Sequence, residues 1–284
     1  MAAVLWKIAG ETHDLSRGGI IMGVLNVTPD SFSDGGEFFD EAAAIQRGLT
    51  MAAEGAAIID IGGESTRPGS EPIAEDVEMK RVLPVIKGLR AAGLKALISI
   101  DTTKAAVARA ALDAGAVIIN DITGGRGDAA MLPLAAERGA AVIMMHMQGT
   151  PRTMQVKPHY DDVVVEVGEF FRQQYARALE CGIDPMGIAF DPGIGFGKTL
   201  QHNLALLRNL SELRVYDRPL AVGVSRKAFL GKIIVSAEMS DRLPPTIALT
   251  ALLRRSGADV VRVHEVAPNL AALRVAEALE TNTP

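Results

Sequence analysis

A repeated pattern of apolar and polar positions runs along most of the chain. Gly-Ala followed by a largely β-branched apolar run occurs in GAAIIDIGG (55–63), GAVIINDITGG (115–125), GAAVIMMH (139–146) and GADVVRVHE (257–265). Each run follows an Ala- and Leu-rich segment of helical character. The glycine suits the position after a helix, where a positive φ angle is common, and the run lacks the alternation of a half-exposed strand. Each unit therefore predicts a helix, a glycine stop and a buried parallel strand.

Eight such strands can be read from the sequence, with helical patterns between them. The predicted strands are residues 20–25, 57–61, 96–100, 117–120, 141–145, 187–190, 220–224 and 259–263. The predicted helices are residues 41–53, 74–92, 103–114, 129–137, 163–180, 200–210, 246–256 and 269–279. Eight alternating units predict an α/β protein with a (β/α)8 TIM barrel. We expect a single domain over residues 1–284, with its core at about 18–280; a doubly wound open sheet is the alternative.

Polar residues collect at the carboxyl end of each predicted strand. They are Asn26, Asp60, Glu64, Asp101, Asn120, Asp121, His146, Asp191, Ser225, Arg226, Lys227, Arg262 and His264. Any one of them could be a capping or turn residue, but together they follow all eight strands. In a TIM barrel these positions converge on the C-terminal rim, where such enzymes build their active sites. The rim is therefore the predicted functional site.

Two long loops, 26–40 and 62–72, interrupt the otherwise short connections between strands and helices. Both are rich in Gly, Pro and Ser, and they carry Phe32 and Arg67. Long loops in a compact domain are often substrate lids. We expect both loops to cover the rim; solvated variable loops are the alternative.

Composition narrows the class of protein. The net charge of −5 argues against binding to nucleic acid, which needs a basic surface. The single cysteine, Cys181, allows no internal disulfide and suits a reducing compartment. No signal peptide is evident at the start, and no apolar run reaches the length of a membrane span. We therefore expect a cytoplasmic protein without a membrane segment.

The rim residues form two sets with different chemistry. Asp101, Asn120 and Asp191 can donate and accept hydrogen bonds with a flat polar heterocycle, because a carboxylate accepts two parallel N–H bonds from a guanidine-like edge. Apolar side chains suited to an aromatic ring follow nearby, although methionines there are more often plain core; they are Met144, Met145, Met147 and Phe196. The first set therefore predicts a ring-binding pocket.

The second set predicts an anion site. It comprises Asn26, Thr66, Arg67, Ser225, Arg226, Arg262 and His264, which lack carboxylate partners in the sequence pattern. Arg262 and His264 are two apart on a strand and face the same side. No metal cage is apparent, but Mg²⁺ held by a diphosphate and one or two oxygen ligands would leave little trace. Lys227 could serve either set, as a Schiff-base nucleophile or as an ion-pairing or ring-contacting residue.

The segment DPGIGFGKT (191–199) has the appearance of a nucleotide-binding phosphate loop. The GxxxxGK pattern, however, requires a glycine where Pro192 stands. The important residue is instead Asp191, at the end of a predicted strand. We expect the glycines to let the chain turn away from a bound ring and to bring Phe196 beside it.

Taken together, seven motifs resemble the dihydropteroate synthase family of folate biosynthesis. They are MGVLNVTPDSFSDGG, DIGGESTRPG, SIDT, IINDITGG, DPGIGFGK, SRK and RVHE, in order from about residue 20 to the end. The resemblance implies condensation of 4-aminobenzoate with (7,8-dihydropterin-6-yl)methyl diphosphate, giving 7,8-dihydropteroate and diphosphate. It also implies competition by sulfonamides and a homodimer formed through helices of the outer wall. The Ala- and Leu-rich stretch Thr246–Leu253 is a candidate for that surface; packing of these residues on the barrel is the alternative.

The resemblance also implies a role for each matching residue. Asp101, Asn120, Asp191 and Lys227 would bind the pterin, with Met145 beside it. Asn26, Thr66, Arg262 and His264 would hold the diphosphate, with Asn26 on Mg²⁺. The residues implied for the 4-aminobenzoate pocket are Phe32, Arg67, Pro68, Phe196 and Lys227. The sequence departs from the family at Ala228, where a small polar residue is common, and this could alter sulfonamide affinity.

The chemistry expected of these residues is dissociative. Loss of diphosphate leaves positive charge on the pterinylmethyl group, which the Asp101 and Asp191 carboxylates can stabilise. Arg262, His264 and the metal would stabilise the departing oxygens, and the lids would exclude water. A pterin-binding methyltransferase barrel is one alternative, but it has no use for the lids or the anion pair. A paralogue that binds pterin without turnover is another, although all motif residues are intact.

Overall fold

The barrel predicted from the sequence is present in the computed structural model, which describes residues 3–28 and 41–280. Phe32 and most of the predicted loop 26–40 lie outside the described residues. The barrel strands are β3 (Ile20–Asn26), β4 (Ile58–Gly62), β5 (Leu97–Asp101), β6 (Ile118–Asp121), β7 (Ala141–Met145), β8 (Ile188–Asp191), β9 (Ala221–Gly223) and β10 (Val260–Val263). Each strand begins and ends within one or two residues of its predicted boundaries, so the eight predicted strands are confirmed.

The strands are parallel and join into a closed ring. Their order is β9, β10, β3, β4, β5, β6, β7, β8. The ring closes between β8 and the start of β9, where Phe190 pairs with Leu220 and its N–H donates to the Pro219 carbonyl at 2.9 Å. The closed ring confirms the (β/α)8 barrel over the doubly wound alternative.

Helices surround the ring and follow the predicted pattern closely. They are α1 (Glu41–Ala53), α2 (Glu75–Ala91), α3 (Ala105–Ala114), α4 (Met131–Arg138), α5 (Val163–Glu180), α6 (Leu200–Arg208), α7 (Ala228–Ile234), α8 (Leu243–Arg255) and α9 (Val266–Glu280). Short 3₁₀ helices span Pro185–Gly187, Leu210–Leu213 and Ser240–Arg242. The short helix α7 was not predicted. Within the described part of the chain, no helix combines the length and apolar character needed to cross a membrane.

Alternate residues of each strand face opposite sides of the barrel wall. One apolar cluster contains Met22, Ile58, Ile118, Ile143 and Val260 and fills the inside of the barrel. The other contains their direct neighbours, Ile21, Ile59, Ile119, Val142 and Val261, together with helix residues. Because side chains alternate along a strand, the residue two positions after each inward-facing one also faces the interior.

An N-terminal hairpin extends the interior cluster at its base. Strands β1 (Leu5–Ile8) and β2 (Glu11–Asp14) pair antiparallel. Trp6 is fully buried in the inner cluster, and its indole N–H donates to the Gly187 carbonyl at 3.1 Å. The hairpin was not predicted, and it adds Val4, Trp6 and Ile8 to the buried inner cluster.

Candidate active site

The inward face of the strands brings the predicted site residues together at the C-terminal end of the barrel. Following the alternation from the inner cluster, Asn120 lies two residues after Ile118, Met145 after Ile143, Asp191 after Ala189, and Arg262 after Val260. Asp101 on β5 is paired with Asn120 on β6, and Met145 on β7 is paired with Asp191 on β8. The strand pattern alone thus places these side chains in one layer.

Arg262 links the strands of this layer through two carboxylates. Its Nε donates to Asp60 Oδ2 at 2.7 Å, and its Nη2 donates to Asp101 Oδ2 at 2.7 Å. Asn120 Nδ2 donates to the same Asp60 oxygen at 3.0 Å. The prediction that Arg262 lacks a carboxylate partner is therefore wrong, because strand closure brings in partners far away in sequence.

Burial changes the protonation of the carboxylate on β5. It raises the pKa of Asp101 to about 7; the Arg262 charge lowers this pKa and the Asp60 charge raises it. Burial also opposes the charge of Arg262, but Asp60 and Asp101 outweigh it and raise the pKa of the guanidinium. Arg262 therefore stays charged, whereas Asp101 exchanges its proton near neutral pH.

Asp191 ends β8 and is held by the glycine-rich loop that follows. Gly193 N–H donates to Asp191 Oδ1 at 2.7 Å. Gly193, Gly195 and Gly197 all have positive φ, and a Cβ at Gly193 would lie 1.9 Å from the His146 carbonyl oxygen. Only glycine fits such a turn, so the expected sharp turn after Asp191 is confirmed. Burial raises the pKa of Asp191, while the Lys227 charge opposes that rise.

Lys227 approaches the same loop from the end of β9. Its Nζ donates to the Ile194 carbonyl and lies 4.6 Å from the centre of the Phe196 ring. Burial lowers its pKa to about 8, although the Asp191 charge works in the other direction. The preceding residue, Arg226, has a φ of 58°, a strained value for a side chain of this size. Lys227 therefore contacts both the glycine-rich loop and the Phe196 ring.

The predicted anion set is brought together only in part. His264 Nδ1 lies 2.9 Å from Ser225 Oγ. Burial, and then the charge of Arg262, lower the pKa of His264 to about 3, so its imidazole is neutral in this state. Arg226 pairs with Glu265, which corrects the prediction that it lacks a carboxylate partner. The charge of Arg67 also acts on His264, which places the 62–72 loop on this side of the rim.

The 62–72 loop is anchored at its base and exposed at its tip. Lys104 Nζ bridges Glu64 and the fully buried Glu78, with a distance of 2.6 Å to Glu78 Oε2. Thr66 lines a small cavity with Asp101, Glu78 and Lys104. Arg67 and Pro68 are exposed, so they do not lie inside the barrel.

Several rim candidates face away from the barrel mouth. Met144 packs in the outer cluster with the helices, whereas Met145 and Met147 form a small cluster against Phe196. Asp121 accepts hydrogen bonds from Thr123 and Gly125 and shapes a turn. His146 lies behind the glycine-rich loop, and its Nδ1 is 3.0 Å from Lys198 Nζ. Strand alternation explains each case, since these residues follow the outward parity.

Two buried polar residues beside the site were not assigned a role by the sequence. Asp60 is fully buried and lies in the middle of the layer; the sequence placed it among the rim residues but gave it no specific role. Its inward parity with Ile58 was the signal that could have identified it. Lys198 is buried and binds the Phe196 carbonyl at 3.0 Å, so it fastens the glycine-rich loop. Burial lowers the pKa of Lys198 well below its usual range.

Asn26 lies at the end of β3, in register with Gly62 on β4. None of the residues within 3–28 and 41–280 forms a hydrogen bond to its side-chain amide. The same residues contain no group of three or more His, Cys, Asp or Glu side chains placed to hold a metal ion.

Comparison with known proteins gives a consistent result across the whole chain. Residues 22–264 match a family model described as pterin binding enzyme. A dihydropteroate synthase of Mycobacterium leprae is 48% identical over 262 residues, covering 90% of this chain and 91% of the relative.

Two solved structures are similar in fold over nearly the full length. Xanthomonas albilineans dihydropteroate synthase with 4-aminobenzoic acid has a TM-score of 0.91 and 40% identity, and all of both chains is covered. Yersinia pestis dihydropteroate synthase in complex with a sulfonamide drug has a TM-score of 0.90 and 42% identity, covering 97% of this chain and 99% of the other.

Proposed function

The chain belongs to the dihydropteroate synthase family of pterin-binding enzymes, and from this premise we propose how its residues share the work of the reaction. It is a transferase of folate biosynthesis with dihydropteroate synthase activity, which binds 4-aminobenzoate and forms 7,8-dihydropteroate. The other substrate is (7,8-dihydropterin-6-yl)methyl diphosphate, which releases diphosphate. The single observation that carries the assignment of roles is the layer of Asp101, Asn120, Asp191 and Arg262 inside the barrel mouth.

The pterin ring is bound by this buried layer. One oxygen of Asp191 accepts a hydrogen bond from the Gly193 amide. The carboxylate can still accept hydrogen bonds from N–H groups of the ring. Asp101 and Asn120 lie side by side on neighbouring strands and complete the polar edge. Met145 and Phe196 supply the apolar contact, and Lys227 contacts the ring between Phe196 and Asp191.

The diphosphate is held by residues at the other side of the mouth. Arg262 keeps its charge, and neutral His264 can donate from Nε2 while its Nδ1 engages Ser225. Asn26 and Thr66 border this region, and the Asn26 oxygen would serve as a ligand to Mg²⁺. Bound there, Mg²⁺ would neutralise charge on the diphosphate oxygens. This role for the ion fits a donor set of one amide oxygen and no carboxylate cage.

4-Aminobenzoate enters over the rim, where Arg67 and Pro68 are exposed. The Arg67 guanidinium suits its carboxylate, and Phe196 with Lys227 borders the ring position. Phe32 is also proposed for this pocket; it lies outside the described residues. Sulfonamides share the arylamine and compete at the same place.

The bond change is a dissociative displacement. The C–O bond to diphosphate breaks first, and its electron pair leaves with the diphosphate. The cationic pterinylmethyl carbon is stabilised by the Asp191 carboxylate and the ionised fraction of Asp101. The arylamine nitrogen then forms the new C–N bond and loses a proton, which needs no strong base. A secondary isotope effect well above unity at the methylene carbon is expected, and a value near unity would contradict this order of steps.

The decisive assay mixes the purified protein with the pterin diphosphate and measures diphosphate release with and without 4-aminobenzoate. Release that depends on 4-aminobenzoate and matches dihydropteroate formed is expected. A pterin-dependent methyltransferase would release no diphosphate. A non-catalytic paralogue would bind the pterin without turnover, and either result would overturn the assigned reaction.

The active unit is proposed to be a homodimer formed through the outer helices. Helices α8 and α9 pack side by side and expose Leu252, Val275 and Leu279 to solvent, with Leu279 75% exposed. Leu252 lies within the predicted Thr246–Leu253 surface. Leu252→Arg should convert a dimer to a monomer in analytical ultracentrifugation. A cytoplasmic location is proposed for the enzyme and can be tested by cell fractionation.

A further inference from the structure

Asp60 lies at the centre of the buried layer without a place in the proposed division of roles. It is 0% exposed, and its Oδ2 accepts two hydrogen bonds, from Asn120 Nδ2 at 3.0 Å and Arg262 Nε at 2.7 Å. Its other oxygen, Oδ1, has no partner among the described residues. Burying a carboxylate lowers the stability of the fold unless hydrogen bonds and opposite charges compensate for the lost contact with water.

The bond to Asp60 decides which way the Asn120 amide points. Asp60 Oδ2 accepts from both Asn120 and Arg262, so Asn120 presents its NH₂ group to Asp60 and not its carbonyl oxygen. Its carbonyl oxygen Oδ1 is then on the opposite side of the amide plane. That oxygen accepts no hydrogen bond from residues 3–28 or 41–280. It is not fully buried, so it is accessible to solvent. It is therefore an acceptor presented to the barrel mouth.

We propose that Asp60 is a positioning residue that fixes the Asn120 amide with its carbonyl toward the pterin. The pocket at this point then accepts a ring N–H and rejects a ring acceptor, so Asp60 sets part of the specificity without touching the substrate. The inference rests on the proposed pterin-binding role of Asn120. Arg262 is held less critically by Asp60, because Arg262 also binds Asp101.

Two substitutions of Asp60 distinguish the loss of its hydrogen-bond acceptor from the loss of its charge. Both donors converge on one oxygen of Asp60, so the single carbonyl oxygen of Asp60→Asn can take both bonds. Its NH₂ group then replaces the unpartnered Oδ1, next to Ser99, which is paired in register with Asp60 and whose hydroxyl is also unpartnered. Asp60→Ala provides no acceptor, and the Asn120 amide becomes free to turn.

The test measures binding of 6-hydroxymethyl-7,8-dihydropterin, which lacks the diphosphate and so excludes the anion site. We expect Asp60→Ala to weaken binding about tenfold or more and Asp60→Asn to stay within about threefold of wild type. In turnover, Asp60→Ala should raise the KM for the pterin diphosphate but change the KM for 4-aminobenzoate less than about twofold. Wild-type binding by Asp60→Ala would overturn the inference.

A double-mutant cycle distinguishes positioning of Asn120 from general loosening of the barrel. In an Asn120→Ala background, Asp60→Ala should cost less than about twofold in further affinity. An equal loss in both backgrounds would overturn the inference. If Asn120→Ala itself binds the pterin as wild type does, the pterin-binding role of Asn120 is wrong, and that result identifies the failure separately.

The wild-type protein offers a measurement that does not depend on a variant folding. The side-chain NH₂ signal of Asn120, assigned in a ¹⁵N spectrum by its loss in Asn120→Ala or by sequential assignment, should exchange slowly with solvent in the ligand-free enzyme. Slow exchange is expected of a donor held by a buried carboxylate, and rapid exchange would overturn the inference.

Discussion

Two clusters of largely buried charged residues occupy opposite ends of the barrel and differ in how completely their carboxylates are paired. The base cluster comprises Arg214, Arg254, Asp259 and Glu277; the rim cluster comprises Asp60, Asp101, Asp191, Lys227 and Arg262. At the base, the Asp259 carboxylate binds Arg214 at 2.8 Å and the Leu220 amide at 2.9 Å. Arg254 reaches the Leu15 carbonyl at 3.2 Å. The base cluster therefore joins separate chain segments.

The rim cluster leaves bonding capacity unused. Asp60 Oδ1 has no partner, and Asp191 receives a hydrogen bond from a single backbone amide. Burial raises the pKa of Asp101 and lowers that of Lys227, so both titrate closer to neutral pH than usual. The same residue types thus stabilise the fold at one end and remain available to a substrate at the other. This matches the division between the two faces of TIM barrels.

The largest effect is expected from removing charge at the rim. Asp191→Asn should lower kcat/KM about 10³-fold, because the carboxylate that we propose to face the pterin cation is lost while the shape is kept. Its Tm should stay within about 3 °C of wild type. The matched control is Asp184→Asn, an exposed aspartate paired with Lys7, which should leave both quantities unchanged. Activity within tenfold of wild type would contradict the assigned role.

The opposite result is expected at the base. Asp259→Ala should lower the free energy of unfolding by about 3 kcal/mol or more, because Arg214 and Arg254 lose a buried partner. Urea unfolding measures this loss, and kcat/KM per folded molecule should change less than about twofold. Asp113→Ala removes the exposed partner of Arg138 and serves as control. A large loss of kcat/KM with unchanged stability would remove the contrast between the clusters.

A smaller effect is expected in the pH dependence of stability. The folded pKa of Asp101, about 7, lies above its usual value of 3.8, so the folded state holds the proton more tightly. The stabilising contribution is therefore complete below about pH 4 and is lost as the pH rises to 7. Asp101→Asn cannot titrate, so it does not lose this stability as the pH rises. The Tm of the variant minus that of wild type should therefore be higher at pH 8 than at pH 4 by about 3 °C or more.

The exposed Glu137, paired with Arg109, provides the control for this titration. The pKa of Glu137 is lowered from its usual value, chiefly by the hydrogen bond from Arg109. Glu137→Gln should therefore show no upward trend over the same range. A flat Tm difference for Asp101→Asn would show that Asp101 is ionised throughout this pH range.

The smallest effect is expected at the exposed edge of the rim. Arg67→Ala should raise the KM for 4-aminobenzoate about tenfold or less with little change in the KM for the pterin diphosphate, because an exposed ion pair is screened by water. Arg17→Ala at the opposite, N-terminal side is an exposed control. Equal changes in both KM values would show that Arg67 serves the pterin diphosphate instead.

The sequence determined the architecture and the membership of the rim. Glycine stops and apolar runs located all eight barrel strands, since those signals are local in the chain. The strand ends then indicated Asp101, Asn120, Asp191, Lys227 and Arg262, because strand alternation and barrel closure carry such residues to one face. The hairpin carrying Trp6 was missed, since its two short strands lack the glycine stop and the long apolar run of the repeated unit.

Only the tertiary structure decided the partners and the protonation of those residues. Arg262 binds Asp60 at a separation of 202 residues in the sequence, and Asn120 binds Asp60 at a separation of 60 residues. Pairing at this range depends on which strands become neighbours when the ring closes. The pKa of Asp101 likewise depends on how much water the closed barrel excludes. Local patterns carry neither quantity, so the chain specified which residues meet at the rim, and the fold specified how each one is held there.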